Sequence, residues 1–475
     1  MAGLSASLSL RLEQLRLLAS LTPFDLSTEE GRANQRHRRI LVAAATSALA
    51  KIVSIATTFI SIPLTLHYLG PERFGLWVTM SSVIAMLGFA DLGIGNGLLN
   101  AVSAASGRDD VQSIKRLISS AFAVLTTIAA VILVVFLVIH PFVPWAQFFN
   151  VKSPEAVTES AQAVAIFMVF FVMNIPADIV QRTQAGLQLG FAANLWQIAG
   201  SLGGLVAVLV VIHLQLGLPW LVGALTGLPV AIALVNGYVF FRRIRPDICP
   251  SWRMVDSQAA KTIAHTGILF FVLQISFSLA FVSNNIIISQ IMGPEAVAQY
   301  AVSEKLFSPI PTLLAMALTP LWPAYGEAMA RGDGAWIKRI FLRSLKISLA
   351  LSLGLAALTA VFADKILAVW VGQYVTPTLT LLAGFVLWKV FEAWGIAVSM
   401  FLNGANIMKL QATLAIVMAV SAVALKIVLV QQIGIAGVVW GTIIAYGALN
   451  LVPLSLALPG ILRKYTQQKT VTTPP

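Results

Sequence analysis

The 475-residue chain is 58% hydrophobic and only 11% charged, with a mean hydropathy of +0.87. A soluble domain carries about 25% charged residues, so composition excludes one. The net charge of +12 sits in short loops beside apolar runs, where membrane topology accounts for it, and this excludes a nucleic-acid surface.

Residues 1–31 are polar and mixed and have no long apolar core, so they are not an ordinary cleavable signal. Leu4, Leu8, Leu12, Leu15 and Leu18 share one helical face. That pattern fits a helix lying on the membrane surface, and a disordered tail is the other reading. Apolar runs of about 20 residues then recur from Ile40 to Gly460, each long enough to cross the hydrocarbon core as a helix. A spanning β-barrel would show short alternating segments instead. The runs predict twelve spans, over 40–68, 74–101, 114–139, 161–181, 191–213, 218–241, 263–291, 296–325, 337–362, 377–402, 410–430 and 434–458.

The loops test that count. Arg32, Arg36, Arg38, Arg39, Arg108, Lys115, Arg116, Arg182, Arg242, Arg243, Arg245, Arg253, Lys261, Arg331, Lys338, Arg339, Lys409, Arg463 and Lys464 fall in one alternating set. The other set holds Arg73, Lys152 and Lys365. Positive charge resists translocation, so the rich set is read as cytoplasmic, with both termini inside. The single Cys249 excludes an internal disulfide.

The chain also contains one stretch twice. Shifted by 223 residues without a gap, Gly70-Pro71-Glu72 matches Gly293-Pro294-Glu295. Arg108, Asp110, Ile114, Lys115 and Arg116 match Arg331, Asp333, Ile337, Lys338 and Arg339. Two signatures in register at the same two loops argue for a duplicated unit. The expected fold is an all-α polytopic membrane protein, twelve transmembrane helices in two parallel six-helix repeats around a central cavity. Six spans per half return the chain to its starting side, which relates the halves by a pseudo-two-fold axis along the membrane normal. The expected domains are a cytoplasmic segment 1–31, an N-lobe 32–241, a basic linker 242–262, a C-lobe 263–462 and a cytoplasmic tail 463–475. The Gly-Pro-Glu turns read as structural, with the glutamate in water.

Ionisable residues at bilayer depth are costly and face protein or water. Lys51 lies mid-span, and its repeat partner is the polar Gln274. Asp91 lies in a glycine-rich run; it reads either as a cavity carboxylate or as a cap on a glycine-broken helix. Glu304 and Lys305 are adjacent, which does not make them face each other, and Lys305 has a snorkelling alternative. Lys389 and Glu392 share a helix face, as a cavity pair or as a self-neutralising pair that only permits insertion. Lys426 reads as snorkelling outward. Arg39, Arg108 and Arg331 are topology determinants with a possible second role, holding an anionic headgroup at the inner surface. No phosphate loop, H-E-x-x-H or G-x-S-x-G occurs, so no enzyme, metal site or cofactor is expected.

The run Ile62-Pro63-Leu64 through Leu69-Gly70-Pro71-Glu72-Arg73-Phe74-Gly75-Leu76-Trp77, then Gly88-Phe89-Ala90-Asp91-Leu92-Gly93-Ile94-Gly95, resembles the start of bacterial oligosaccharide flippases of the Wzx type. These belong to the superfamily of multidrug, oligosaccharidyl-lipid and polysaccharide exporters. The layout is similar from about Arg39 to Leu462, and departs at the longer N-terminal segment and in lacking dense intramembrane arginines. The resemblance implies a plasma-membrane transporter that moves an undecaprenyl-diphosphate-linked sugar unit between leaflets for polysaccharide biosynthesis. It makes Lys51, Lys305 and Lys389 candidates for the diphosphate, and Gln274, Asn96, Asn100, Asn284 and Asn285 candidates for the glycan. The coupling ion, sodium or proton, stays open, with Asp91 and Glu304 as the carboxylates available to it. Membrane lipids, a polysaccharide polymerase or glycosyltransferases are the partners the resemblance suggests. A multidrug cation antiporter of the same superfamily, using Asp91, Glu304 and Glu392, is the alternative. A non-transporting scaffold of a glycan-assembly complex is the reading from another class.

Overall fold

The computed structural model describes residues 29–86, 91–319, 321–330, 332–405 and 407–466. The leucine-rich stretch through residue 28, Arg331 and the side chain of Arg39 lie outside the described residues.

The described chain is helical. Its helices are α1 (Glu29–Met86), α2 (Ile94–Ser106), α3 (Val111–Ile139), α4 (Pro154–Ala177), α5 (Ile179–Gly186) and α6 (Gly190–His213). Then come α7 (Leu218–Val239), α8 (Ser257–Phe277), α9 (Asn284–Met292), α10 (Pro294–Phe307), α11 (Pro309–Leu318) and α12 (Leu321–Ala330). The last are α13 (Gly334–Val361), α14 (Ala363–Trp370), α15 (Leu379–Gly404), α16 (Met408–Ile433), α17 (Ala436–Tyr446) and α18 (Val452–Thr466). Among the described residues, ten stretches are long and apolar enough to cross a membrane. The expected span 296–325 is not one of them, because Ser308-Pro309 and the residues around 320 divide it into α10, α11 and α12. The expected spans 40–68 and 74–101 share one qualifying stretch, kinked at Gly70, and the second of them resumes only at α2.

The duplicated punctuation folds alike. Gly70 (φ 74°, ψ 169°) and Gly293 (φ 93°, ψ 169°) adopt the same backbone, one that only glycine tolerates. Proline follows each, where its missing N–H costs nothing. At the second signature Asp110 caps α3 by accepting from the Ser113 N–H, and Asp333 caps α13 by accepting from the Trp336 N–H. The hydroxyl and N–H of Ser113 hold the Asp110 carboxyl below its ordinary range. Glu72 departs from its expected place in water. Its carboxylate accepts from the Ser153 N–H at 3.1 Å and from the Lys152 N–H, so it caps the start of α4. Arg73 then bridges to Glu159 at 3.2 Å.

Two compact units emerge. The first comprises the described residues up to Ser61, of Ala90–Pro141 and of Ala165–Phe270. Its core joins Leu98 and Val102 of α2 to Ile114, Ile118 and Leu125 of α3. The basic stretch 242–262, read from sequence as a linker, belongs to this core. Ile248 is buried in it, the Ser251 N–H donates to the Ser119 hydroxyl at 3.0 Å, and Ser120 exchanges hydrogen bonds with the backbone of Asp256.

The second unit comprises the described residues of Ile62–Phe89, of Phe142–Val164 and from Phe271 onward. Tyr325, Phe341 and Phe401 meet at its centre, with ring centroids 5.0 and 5.6 Å from Phe401. Lipid tails are as apolar as these side chains, so packing rather than water expulsion holds such helices together, and small residues let backbones approach. Gly437 and Gly441 do this for the α16–α17 hairpin. A Cβ on Gly437 would stand 2.3 Å from the Val430 nitrogen, and one on Gly441 2.8 Å from the Lys426 nitrogen.

Candidate functional site: a mixed-charge cavity in the second unit

A cavity of about 860 Å³ opens inside the second unit. That lies in the upper part of the roughly 300–1,000 Å³ range of small-molecule sites. Its walls come from α9 and α10, from α15, from α17, and from the ends of α1 and α8. A π turn over Ser278–Val282 separates α8 from α9 and presents Phe281 to the cavity. Such turns shift the helical register by one residue and re-aim the side chains that follow.

Six residues singled out in the sequence meet here: Asn284, Asn285, Glu304, Lys305, Lys389 and Glu392. Lys389 is only 4% exposed, and its ammonium donates to the Glu392 carboxylate at 2.9 Å. One helical turn separates the two, which is what a three-residue spacing provides. The Lys389 carbonyl accepts from the buried Ser352 hydroxyl at 2.8 Å, so the pair is anchored from behind by α13. Glu304 and Lys305 form a looser pair at 3.9 Å, and Lys305 lines the cavity. Two cations and two carboxylates therefore share the walls. Asn284 donates to the Tyr300 hydroxyl at 2.7 Å, and Asn285 donates to the Ser82 hydroxyl at 2.8 Å. Ser82 passes its own proton to the Val78 carbonyl, which fixes the orientation of the Asn285 amide.

The other singled-out residues stand apart from this cavity. Lys51 is exposed on α1 and makes no ion pair among the described residues. Asp91 takes its capping alternative, accepting from the Gly93 N–H at 2.9 Å and the Gly95 N–H at 3.3 Å at the start of α2. The Asn96 oxygen accepts from Arg182 at 2.7 Å, and Arg182 also pairs with Asp178 at 2.8 Å. Asn100 and Arg108 are exposed. Gln274 sits on α8, and its side-chain oxygen is buried without a hydrogen-bond partner. Lys426 corrects the reading from sequence. It does not reach outward; it is fully buried and donates to the Ala280 carbonyl within the π turn.

Comparison with known proteins places this architecture. The profile of the family described as "Polysaccharide biosynthesis protein" matches residues 42–329. The chain belongs to that family. It is 24% identical over 313 residues to a protein of Salmonella typhi named as an O-antigen transporter, covering 65% of this chain and 69% of that one. A second such protein, from Salmonella typhimurium, is 21% identical over 417 residues, covering 86% and 93%. Among solved structures, an inward-facing multidrug resistance MATE family transporter of the MOP superfamily superposes with a TM-score of 0.75 at 16% identity. It covers 90% of this chain and 99% of that one. A MOP superfamily transporter from Pyrococcus furiosus gives 0.64 at 16% identity, covering 90% and 96%. At these identities the structural likeness shows a shared fold.

Within this family member the sequence concealed much of the cavity wall. Trp388, Tyr300, Tyr446 and Phe385 line it. Trp388 packs edge-on against Tyr446 at 5.4 Å and tilted against Phe281 at 5.6 Å. Aromatic residues in apolar spans are indistinguishable from core by pattern. Gln411 and Asn450 line it as well and were passed over. As isolated amides near span ends, they carried no signal from spacing.

Proposed function

We propose that this protein flips a lipid-diphosphate-linked oligosaccharide across the bacterial plasma membrane for polysaccharide biosynthesis. The cavity of the second unit receives the sugars, and two six-helix halves alternate access to it. The observation that carries this reading is a cavity with balanced charge, paired amides and aromatic walls, in a chain of the polysaccharide biosynthesis family. Sugar rings present hydroxyls to amides and carboxylates and C–H faces to aromatic rings. Trp388 and Tyr446 offer such faces, and Glu304 and Glu392 accept from hydroxyls. The ammonium of Lys389 is committed to Glu392, which leaves Lys305 to meet the diphosphate. The polyprenyl tail stays in lipid.

Alternating basic and poor loops support termini on the cytoplasmic side. The duplicated Gly-Pro-Glu turns and aspartate caps support the twelve-helix arrangement as two parallel repeats.

The test is headgroup translocation in proteoliposomes. Purified protein is reconstituted with a labelled lipid-diphosphate oligosaccharide, and exposure in the opposite leaflet is followed. Wild type is expected to give protein-dependent exposure. Lys305→Ala is expected to slow it by about tenfold, the size of one lost charged hydrogen bond to an anion. Absence of exposure across several glycans, together with ion-driven efflux of an organic cation, would replace this reading with a multidrug antiporter.

A further inference from the structure

Lys426 is a buried charged side chain that does not line the cavity. It lies eight residues beyond Met418, where α16 leaves the cavity wall. It is fully buried, and its ammonium has one acceptor, the carbonyl of Ala280. Gly441 makes the room, since any Cβ there would strike the Lys426 backbone. Among the described residues no carboxylate forms an ion pair with Lys426. The elements packed most closely on α16 are α17, α9 and the π turns over 278–282 and 447–451. They carry one titratable side chain among them, Tyr446 of α17. A buried ammonium without a counter-charge is expensive in a low-dielectric interior, and losing its proton relieves that cost.

The acceptor has equal bearing. Ala280 lies inside the π turn that interrupts the helix between α8 and α9. That turn sets where Phe281, Asn284 and Asn285 point, and all three face the cavity. A neutral amine can still donate to that carbonyl and leaves no uncompensated charge in the interior, whereas an ammonium is drawn toward water. The state of Lys426 therefore sets how firmly the turn is held.

We infer that Lys426 is a proton-binding site that couples protonation to the set of the π turn beside the cavity. Neutral, it donates to the Ala280 carbonyl and holds the turn with no buried charge. When the turn opens, the amine meets cavity water, takes up a proton from it, and releases the cavity-facing residues to re-register. The proton of this cycle is a coupling ion for transport; in that respect the inference rests on the transporter reading, whereas its structural test does not.

The test is amide hydrogen exchange over residues 280–288 of the full-length protein in lipid nanodiscs, corrected for intrinsic rate, across about pH 5 to pH 10. In wild type the protection of this segment rises by about tenfold as pH rises, because the open, hydrated amine binds the proton that the closed one gives up. Lys426→Met, which carries no titratable group, gives protection that ignores pH, and Lys426→Arg, which keeps its charge, gives the low value throughout. A wild-type segment whose protection ignores pH, or a pH response that survives in Lys426→Met, overturns the inference. Should Lys426→Met fail to fold, a wild-type response that also persists in Lys426→Arg overturns it on its own. No substrate enters this measurement, so it fails or succeeds independently of translocation. In proteoliposomes, a pH gradient that accelerates wild-type translocation and has no effect on Lys426→Arg is the functional counterpart.

Discussion

Glu392→Leu is expected to destabilise the protein far more than Lys389→Met, although the two substitutions break the same ion pair. The asymmetry follows from burial. Lys389 is 4% exposed and Glu392 30%. Removing the carboxylate leaves the ammonium of a nearly buried lysine without the acceptor it donates to. Breaking a buried pair from one side costs about 3–5 kcal/mol. The lower end applies here, because Glu392 borders the cavity and part of its field is already screened. Removing Lys389 leaves a carboxylate that can turn toward cavity water, at a cost of about 1 kcal/mol. The double variant Lys389→Met/Glu392→Leu removes both charges and is expected to recover most of the stability, as buried pairs replaced by apolar residues do. It is also expected to lose translocation, because the cavity loses an acceptor for sugar hydroxyls. Thermal unfolding of the detergent-solubilised single and double variants, beside translocation, measures all of this. Equal losses in the two single variants, or a larger loss in Lys389→Met, would mean that the pair is not oriented as described.

What the sequence disclosed and what it hid divide along physical lines. The apolar, helical character of the spans was legible because composition alone sets it, although 296–325 is divided, and the repeated punctuation was legible because it needs special backbone. Gly70 and Gly293 adopt positive φ, and Asp110 and Asp333 supply a cap. Only a few residue types do either job, so the copies keep them. The interruptions of the apolar runs were not legible in the same way. A π turn such as Ser278–Val282 changes hydrogen-bond register without any change in residue type. The reading of Lys426 failed for the same reason. A lysine in an apolar span can reach the interface or find an inner acceptor, and the inner acceptor exists only because the chain bulges at Ala280. Glu72 was misjudged because its partners are backbone N–H groups some eighty residues onward, which no local pattern reveals. In the cavity, the charged residues and the amides Asn284 and Asn285 were found, and Gln411, Asn450 and the aromatic residues were missed. A buried charge demands an explanation, and a buried tryptophan does not.

Gly75→Ala is expected to abolish translocation, the largest effect anticipated for the addition of a single methyl group. Gly75 lies five residues after the first Gly-Pro-Glu turn begins, and its Cα faces the second. A Cβ built there would stand 1.7 Å from the carbonyl oxygen of Pro294 and 2.4 Å from its carbon. Carbon and carbonyl oxygen approach to about 3.3 Å at closest, so the two backbones must separate by well over an ångström. Neither side can yield by rotating a side chain, since both are main chain. Pro294 follows Gly293, whose φ of 93° leaves that turn little freedom. The displacement propagates along α1. Ser82 lies seven residues beyond Gly75, accepts from Asn285 at 2.8 Å and forms part of the cavity wall, and the Met86 carbonyl accepts from Ser278 at 3.2 Å. Both bonds are expected to break, and Asn285 then loses the partner that orients it. Overpacking of this kind costs about 1–3 kcal/mol, occasionally more, so the variant should fold with a lowered unfolding temperature while translocation is lost. Gly354 of α13 is the internal control. A Cβ there meets nothing within 4 Å, and Gly354→Ala is expected to stabilise the protein by about 0.5–1 kcal/mol through backbone entropy. If Gly75→Ala unfolds and translocates like the wild type, the two turns do not pack as described, and the link from the duplicated signature to the cavity wall fails with them.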